Sequence, residues 1–323
     1  MKDFLKLIGW KELIVILLTF VLVRISIIIP FYSQWNMPLD ISLENFIIFI
    51  FGICFLFAGN NAAIKFFDEK QKILQQNPSS TVEIKQYPDL VQLRGLWIVL
   101  WFVGIAASAY SCVKIGNNYY YITLAALTLL HGYTYASYTR YRFLLGNLSL
   151  SILYAAIIYT QLPHNADVLV PLTYKYPNPL ALSYNDLKTL FLFLAVIVFF
   201  LTMLRDVTGD VTNAPQDKQN KYQTIGVVLG INKSKTFLYV VSVLFILLCC
   251  LFLYYYRSQI GAIQIGISVL ILIVPIIYYI FSLKKASLQT DFNYLYVFLG
   301  MIYISVLFVI SFCKLLFANG ISY

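Results

Sequence analysis

Charge is scarce in this chain. Asp, Glu, Lys and Arg make up 11% of its 323 residues against 60% hydrophobic residues, and the mean hydropathy is +0.78. So little polar surface leaves no soluble domain of useful size. Apolar runs of about twenty residues recur instead, long enough to cross a hydrocarbon core of about 30 Å at 1.5 Å per residue. Cysteine is also sparse: Cys54, Cys112, Cys249, Cys250 and Cys313 fall within or at the edge of apolar runs. They lack metal-ligand spacing and read as small apolar side chains. There is no short repeat and no low-complexity tract, and without an inverted repeat or paired broken helices a transporter reading is weak. The stretch 1–10 is basic but leads into a full-length apolar run with no small-residue cleavage signature, so the first helix is expected to stay. The +9 net charge needs no nucleic acid to explain it.

Nine spans are expected, at about 12–33, 43–64, 95–113, 119–139, 144–162, 187–204, 236–256, 260–282 and 292–316. Of the 23 basic residues, 17 fall in the N-terminus or in the connections after the second, fourth, sixth and eighth spans. The exceptions are Arg24, Lys114, Lys175, Lys188, Arg257 and Lys314. An excess of Lys and Arg marks cytoplasmic loops, so the expected protein is integral to the cell membrane with a cytoplasmic N-terminus and the C-terminus opposite. It forms a single polytopic domain over 1–323. Trp10, Trp35, Tyr119 to Tyr121 and Tyr254 to Tyr256 suit interfacial belts. The connections 65–94 and 205–235 are expected as polar cytoplasmic loops that carry nearly all the loop carboxylates, the natural place for chemistry. The connection 163–186, with Pro163, Pro171, Pro177 and Pro179, is expected to carry none.

One motif stands out. In Leu204-Arg205-Asp206-Val207-Thr208-Gly209-Asp210, a spacing of four puts both carboxylates on one helix face where an apolar run leaves the membrane. Two acids so placed suit a hard cation such as Mg²⁺, which keeps several waters and completes its shell with substrate phosphates. The bland alternative is a pair of solvated acids neutralised by Arg205, Lys218 or Lys221.

Several stretches resemble the UbiA superfamily of intramembrane prenyltransferases. Leu204 to Asp210 resembles its second aspartate-rich motif, and Tyr222-Gln223-Thr224-Ile225-Gly226-Val227-Val228-Leu229-Gly230 the segment that follows. Leu144-Leu145-Gly146-Asn147 resembles the turn into the fifth helix, and Ala58-Gly59 with Phe66-Phe67-Asp68 resembles remnants of the first motif, Ala-Gly-Tyr-x-x-Asn-Asp-x-x-Asp. The opening Phe4 to Trp10 and Arg24 are similar to the geranylgeranylglyceryl phosphate synthase-like branch. The resemblance implies an all-α membrane bundle of nine helices around a lateral, lipid-facing cavity. It further implies Mg²⁺ held by Asp206, Asp210 and Asp68, which act on a prenyl diphosphate whose departure leaves an allylic cation for a lipophilic or glycerol-phosphate-type acceptor. Lys65, Arg140, Arg142, Lys218 and Lys221 would meet diphosphate, and Tyr135 and Tyr138 would line the cavity.

The chain also departs from that pattern. Ile64 and Lys65 stand at the expected Asn and Asp positions, Lys72 at the final Asp, Met203 at an upstream Asp and Thr202 at a frequent basic residue, while 211–221 is longer than usual. Lys65 either contacts diphosphate or repels a metal. Glu69 could substitute as a ligand, since Asn61, Lys65 and Glu69 share a face.

In span four His131, Tyr135, Tyr138 and Arg142, at offsets of four, seven and eleven, would align along one face. Polar groups so aligned face a bundle interior or a wet cavity, and interhelical hydrogen bonding is the alternative. Arg24, deep in span one, either snorkels or pairs structurally, with Glu44 as a conceivable partner. Two readings follow. One is a Mg²⁺-dependent prenyltransferase. The other is a catalytically inactive homologue that serves as a lipid-binding or scaffold subunit of a membrane complex.

Overall fold

The structure, a computed structural model, describes residues 2–34, 39, 41–76, 87–114, 119–162, 183–257 and 262–312. Trp35, Lys85, Cys313, Lys175, Lys314 and most of 163–186 lie outside these, as do the side chains of Tyr119 to Tyr121. Among the described residues every regular element is helical. The elements are α1 (Lys2–Leu7), α2 (Trp10–Val23), a π turn (Arg24–Ile28), α3 (Ile29–Gln34), α4 (Leu43–Gln76), α5 (Pro88–Lys114), α6 (Tyr119–Ser137), a 3₁₀ turn (Thr139–Tyr141) and α7 (Leu145–Tyr159). There follow α8 (Tyr184–Gln219), α9 (Ile225–Tyr255), α10 (Ala262–Ser268), a second π turn (Val269–Ile273), α11 (Val274–Lys285) and α12 (Gln289–Phe312).

Seven segments among the described residues are long and apolar enough to cross a membrane. They correspond to seven of the nine expected spans. The other two expected spans meet α6, of 19 residues, and α7, of 15.

The two polar connections differ from expectation, because most of each is helix. With 34 residues α4 rises about 51 Å and with 36 residues α8 about 54 Å, well beyond the roughly 30 Å core. The α4 extension, Phe67-Asp68-Glu69-Lys70-Gln71-Lys72, is rich in good helix formers. The α8 extension holds Thr208, Gly209, Asp210, Thr212 and Asn213, which are poor ones, and is maintained by packing: Val207, Thr208, Val211 and Thr212 are buried. At its other end α8 starts on a capping box, Ser183 with Asp186.

The chain divides into two compact units, Met1–Leu18 with Ile41–Arg140, and Thr19–Asp40 with Tyr141–Tyr323. In unit 1, α4 packs on α5 and α6. A Cβ at Gly104 would stand 2.8 Å from the Gly52 carbonyl oxygen, so a residue without a side chain is needed for this helix crossing. Asn60, 5% exposed, donates to the Thr128 carbonyl at 3.1 Å and accepts from Trp101 Nε1 at 2.9 Å, which ties α4 to both neighbours.

In unit 2 the organising element is α8. Leu187, Leu190, Leu194, Ile197, Leu201, Leu204, Thr208 and Val211 follow one another at steps of three and four, and all are buried. This stripe lies among α7, α9 and α12. The polar member, Thr208, is satisfied by the Leu204 carbonyl at 2.7 Å and the Tyr279 hydroxyl at 2.8 Å.

Candidate functional site

Asp206 and Asp210 stand beside the buried stripe of α8, half-buried, on the side that meets α7. Their spacing of four, legible in the sequence, brings both carboxylates to one side chain. Asn147 Nδ2 donates to Asp206 Oδ2 at 2.8 Å and to Asp210 Oδ2 at 3.0 Å. Asn147 is 3% exposed and lies in the first turn of α7, which begins directly after Leu144 in a left-handed conformation (φ 61°). One turn on, Ser151 donates to the Asn147 carbonyl at 2.7 Å and touches the Met203 sulfur at 3.9 Å. Met203 therefore sits within the α7–α8 packing.

The start of α9 closes the other flank of the pair. The Ile225 backbone N–H donates to the Asp210 carboxylate, and Thr224, the N-cap, donates to Asp217 Oδ2 at 2.9 Å. Gly226 makes this approach possible, since a Cβ there would lie 2.5 Å from the Asp210 carbonyl oxygen. The Gln223 N–H bonds the Tyr141 carbonyl at 3.0 Å and the Tyr222 and Tyr141 rings meet at 4.3 Å, which locks the 220–224 turn onto the α7 side. At Gly230 (φ 70°, ψ 173°) α9 breaks and resumes in a new direction.

Arg205, a candidate neutralising cation, points elsewhere. Its guanidinium donates to the Tyr296 hydroxyl at 3.1 Å and lies over that ring at 5.0 Å. Lys218 and Lys221 are exposed, and Lys221 adopts φ 57° at the end of α8. Arg142 is exposed in the bend between the 3₁₀ turn and α7. That bend corrects an expectation: α6 ends at Ser137, so Arg142 does not continue the face of His131 and Tyr135. Those two rings stack at 5.0 Å, and Tyr138, just past the helix end, is exposed. Arg24 is buried in the first π turn.

In unit 1 the remnant motif is internally paired. Arg140 Nη1 donates to both oxygens of Asp68, at 3.1 and 3.0 Å. Glu69 Oε1 takes Lys65 at 2.9 Å and Lys72 at 3.0 Å. Asn61 donates to the Ile8 carbonyl and to Glu12, at 3.1 and 3.2 Å.

In unit 2 the donor set fits Mg²⁺. Two neighbouring carboxylates offer hard oxygens, too few to enclose an ion and therefore suited to a cation that keeps water and takes phosphate oxygens. Among the described residues no cluster of three or more His, Cys, Asp or Glu could hold a metal, so the pair would have to work with such outside ligands.

No protein-family model matches this sequence, and no curated protein matches it. Solved structures do. The structure of a digeranylgeranylglyceryl phosphate synthase aligns with TM-score 0.61 at 18% identity, over 97% of this chain and 98% of that one. An apo UbiA homologue from Aeropyrum pernix K1 aligns at 0.58 and 15%, over 91% and 96%. The chain has the UbiA fold. A UbiA homologue from Archaeoglobus fulgidus bound to GPP and Mg²⁺ aligns at 0.57 and 13%, over 95% and 99%. Coverage above 90% in both directions means that the UbiA fold accounts for nearly the whole chain.

The residue that sequence reasoning undervalued is Asn147. Its segment was legible as a helix entry, but nothing in it signals that the amide would bridge two acids 59 and 63 residues away.

Proposed function

We propose that this protein is a membrane prenyltransferase that transfers a prenyl group from a prenyl diphosphate to a lipophilic or glycerol-phosphate-type acceptor. The observation that carries the reading is the Asn147-bridged pair Asp206 and Asp210, on a helix continuing beyond its apolar stretch in a chain with the UbiA fold. Asp206 and Asp210 would hold Mg²⁺, which when bound supplies positive charge against a departing diphosphate. Asn147 orients both carboxylates before any ligand arrives, and the Ile225 N–H steadies Asp210. Arg142, Lys218 and Lys221, exposed in the same unit, raise the local concentration of a polyanionic substrate. The apolar substrate chain stays in hydrocarbon-like surroundings. Positive-inside placement makes this end cytoplasmic, with the N-terminus on the same side and the C-terminus opposite.

A second reading, a non-catalytic lipid-binding or scaffold homologue within a membrane complex, is favoured by one observation: Asp68, the acid matched to the first motif, is ion-paired to Arg140. Binding of a geranylgeranyl diphosphate analogue to the protein in lipid nanodiscs, with and without Mg²⁺, separates the two. Mg²⁺-dependent binding lost in Asp206→Ala supports the transferase, whereas no metal-dependent binding supports the scaffold.

A further inference from the structure

Between α11 and α12, unit 2 holds a cavity of about 410 Å³ whose polar lining is Tyr278, Ser282, Lys285, Thr290, Asp291 and Tyr294. It forms where an apolar helix meets water: α11 carries Lys284 and Lys285 in its last turn, and Ala286 then turns extended. Asp291 adds one negative charge to this lining. Its Oδ2 accepts the Ser287 and Leu288 backbone N–H groups at 2.8 and 2.9 Å, so the acid is committed to capping the start of α12. From α9, Lys235 reaches the Lys284 carbonyl at 3.4 Å and lies over the Phe292 ring at 6.0 Å. Lys235, Lys284 and Lys285 thus belong to the elements that meet at this connection, three positive charges against the one carboxylate of Asp291. The lip is apolar and exposed, with Phe281 65%, Leu288 64% and Tyr294 57% accessible.

A cavity lined by Lys285 and hydroxyl donors, with an excess of lysine around it and an apolar lip at the depth where a span ends, matches one chemistry: a phosphate head that continues into acyl chains. We propose that this cavity binds the headgroup of an anionic membrane phospholipid. The phosphate lies against Lys285 and Lys284, the hydroxyls of Tyr278, Ser282 and Thr290 take the polar glycerol region, and the chains run along Phe281 and Tyr294. Tyrosines at such a depth are favoured because an apolar ring and a polar tip are both satisfied there. The anionic lipids of a cytoplasmic leaflet attract juxtamembrane lysines, and this end of unit 2 is cytoplasmic under the orientation proposed above.

The test is a titration of the full-length protein, in a zwitterionic detergent, with phosphatidylglycerol, phosphatidylcholine and inorganic phosphate, read by native mass spectrometry. One phosphatidylglycerol should bind in preference to phosphatidylcholine, and Lys285→Ala and Lys284→Ala should each weaken it by about fivefold. Lys188→Ala, beside Tyr184 near the start of α8, should leave it unchanged. Inorganic phosphate should not compete at equal concentration. Equal retention of the two lipids, undiminished binding in Lys284→Ala/Lys285→Ala, or displacement by phosphate alone would each overturn the assignment, the last by making it a free-anion site.

Discussion

Arg140 reaches both oxygens of Asp68 through a single nitrogen, at 3.1 and 3.0 Å, and so occupies the carboxylate that the remnant motif would offer to a metal. Both side chains keep contact with solvent, 38% and 27% accessible, so screening limits the pair to about 0–1 kcal/mol of stability. Asp68→Asn should therefore lower the thermal midpoint only slightly, and less in high salt. Its more informative effect is on metal: Mn²⁺ affinity, read by electron paramagnetic resonance, should stay within about twofold of the parent if the ion sits on unit 2 alone, since removing a true ligand costs far more. A large loss would restore Asp68 to the ligand set.

Asn147 gives the complementary case. Two carboxylates held beside one another repel, and the bridging amide offsets that repulsion while fixing where both point. Asn147→Leu keeps much of the volume and removes the donor. Mg²⁺ affinity by calorimetry should fall by about 10- to 100-fold, as expected of a group that orients metal ligands. Full affinity with reduced stability would instead make Asn147 a packing residue of α7.

These two contacts mark the limit of what the sequence discloses. The helical membrane fold is legible because apolar runs of span length have few alternatives, and the shared face of Asp206 and Asp210 follows from helix geometry alone. Hydropathy is blind to where α4 and α8 stop, since polar residues such as Lys70 and Gln71 continue a helix as readily as they form a loop. It is equally blind to Arg140 with Asp68, 72 residues apart, or Asn147 with Asp206, because such contacts exist only after the helices have packed.

The two glycines at the start of α9 should respond differently to alanine. At Gly226 the conflict is steric: a Cβ would meet the Asp210 carbonyl oxygen at 2.5 Å, a backbone atom that cannot swing aside. Gly226→Ala should cost about 1–3 kcal/mol and loosen the Ile225 contact to Asp210, so Mg²⁺ affinity should fall along with the unfolding temperature. At Gly230 there is open space, but φ 70° with ψ 173° is a conformation that essentially only glycine adopts. Gly230→Ala should cost about 1–3 kcal/mol through backbone strain, with Mg²⁺ affinity nearly unchanged. Metal titrations of the two variants beside their melting curves distinguish a local effect on the carboxylates from general destabilisation.

Thr208 and Tyr279 test whether the helix that carries the acids is held by its polar stripe position or only by its apolar ones. Their hydroxyls bond at 2.8 Å with both side chains fully buried, so removing one partner strands the other away from water. Thr208→Val preserves shape and leaves the Tyr279 hydroxyl without that donor or acceptor, at a cost of about 1–3 kcal/mol. Tyr279→Phe leaves Thr208 its bond to the Leu204 carbonyl and should cost less. The double variant removes both hydroxyls and strands neither, so it should be more stable than Thr208→Val alone, with a coupling of about 0.5–3 kcal/mol in a denaturation cycle. Because Thr208 lies between Asp206 and Asp210 on α8, the same cycle read by Mg²⁺ affinity shows whether the bond also sets the carboxylates. Additive losses in both readouts would mean that the hydroxyls act independently and that the apolar stripe alone positions the pair.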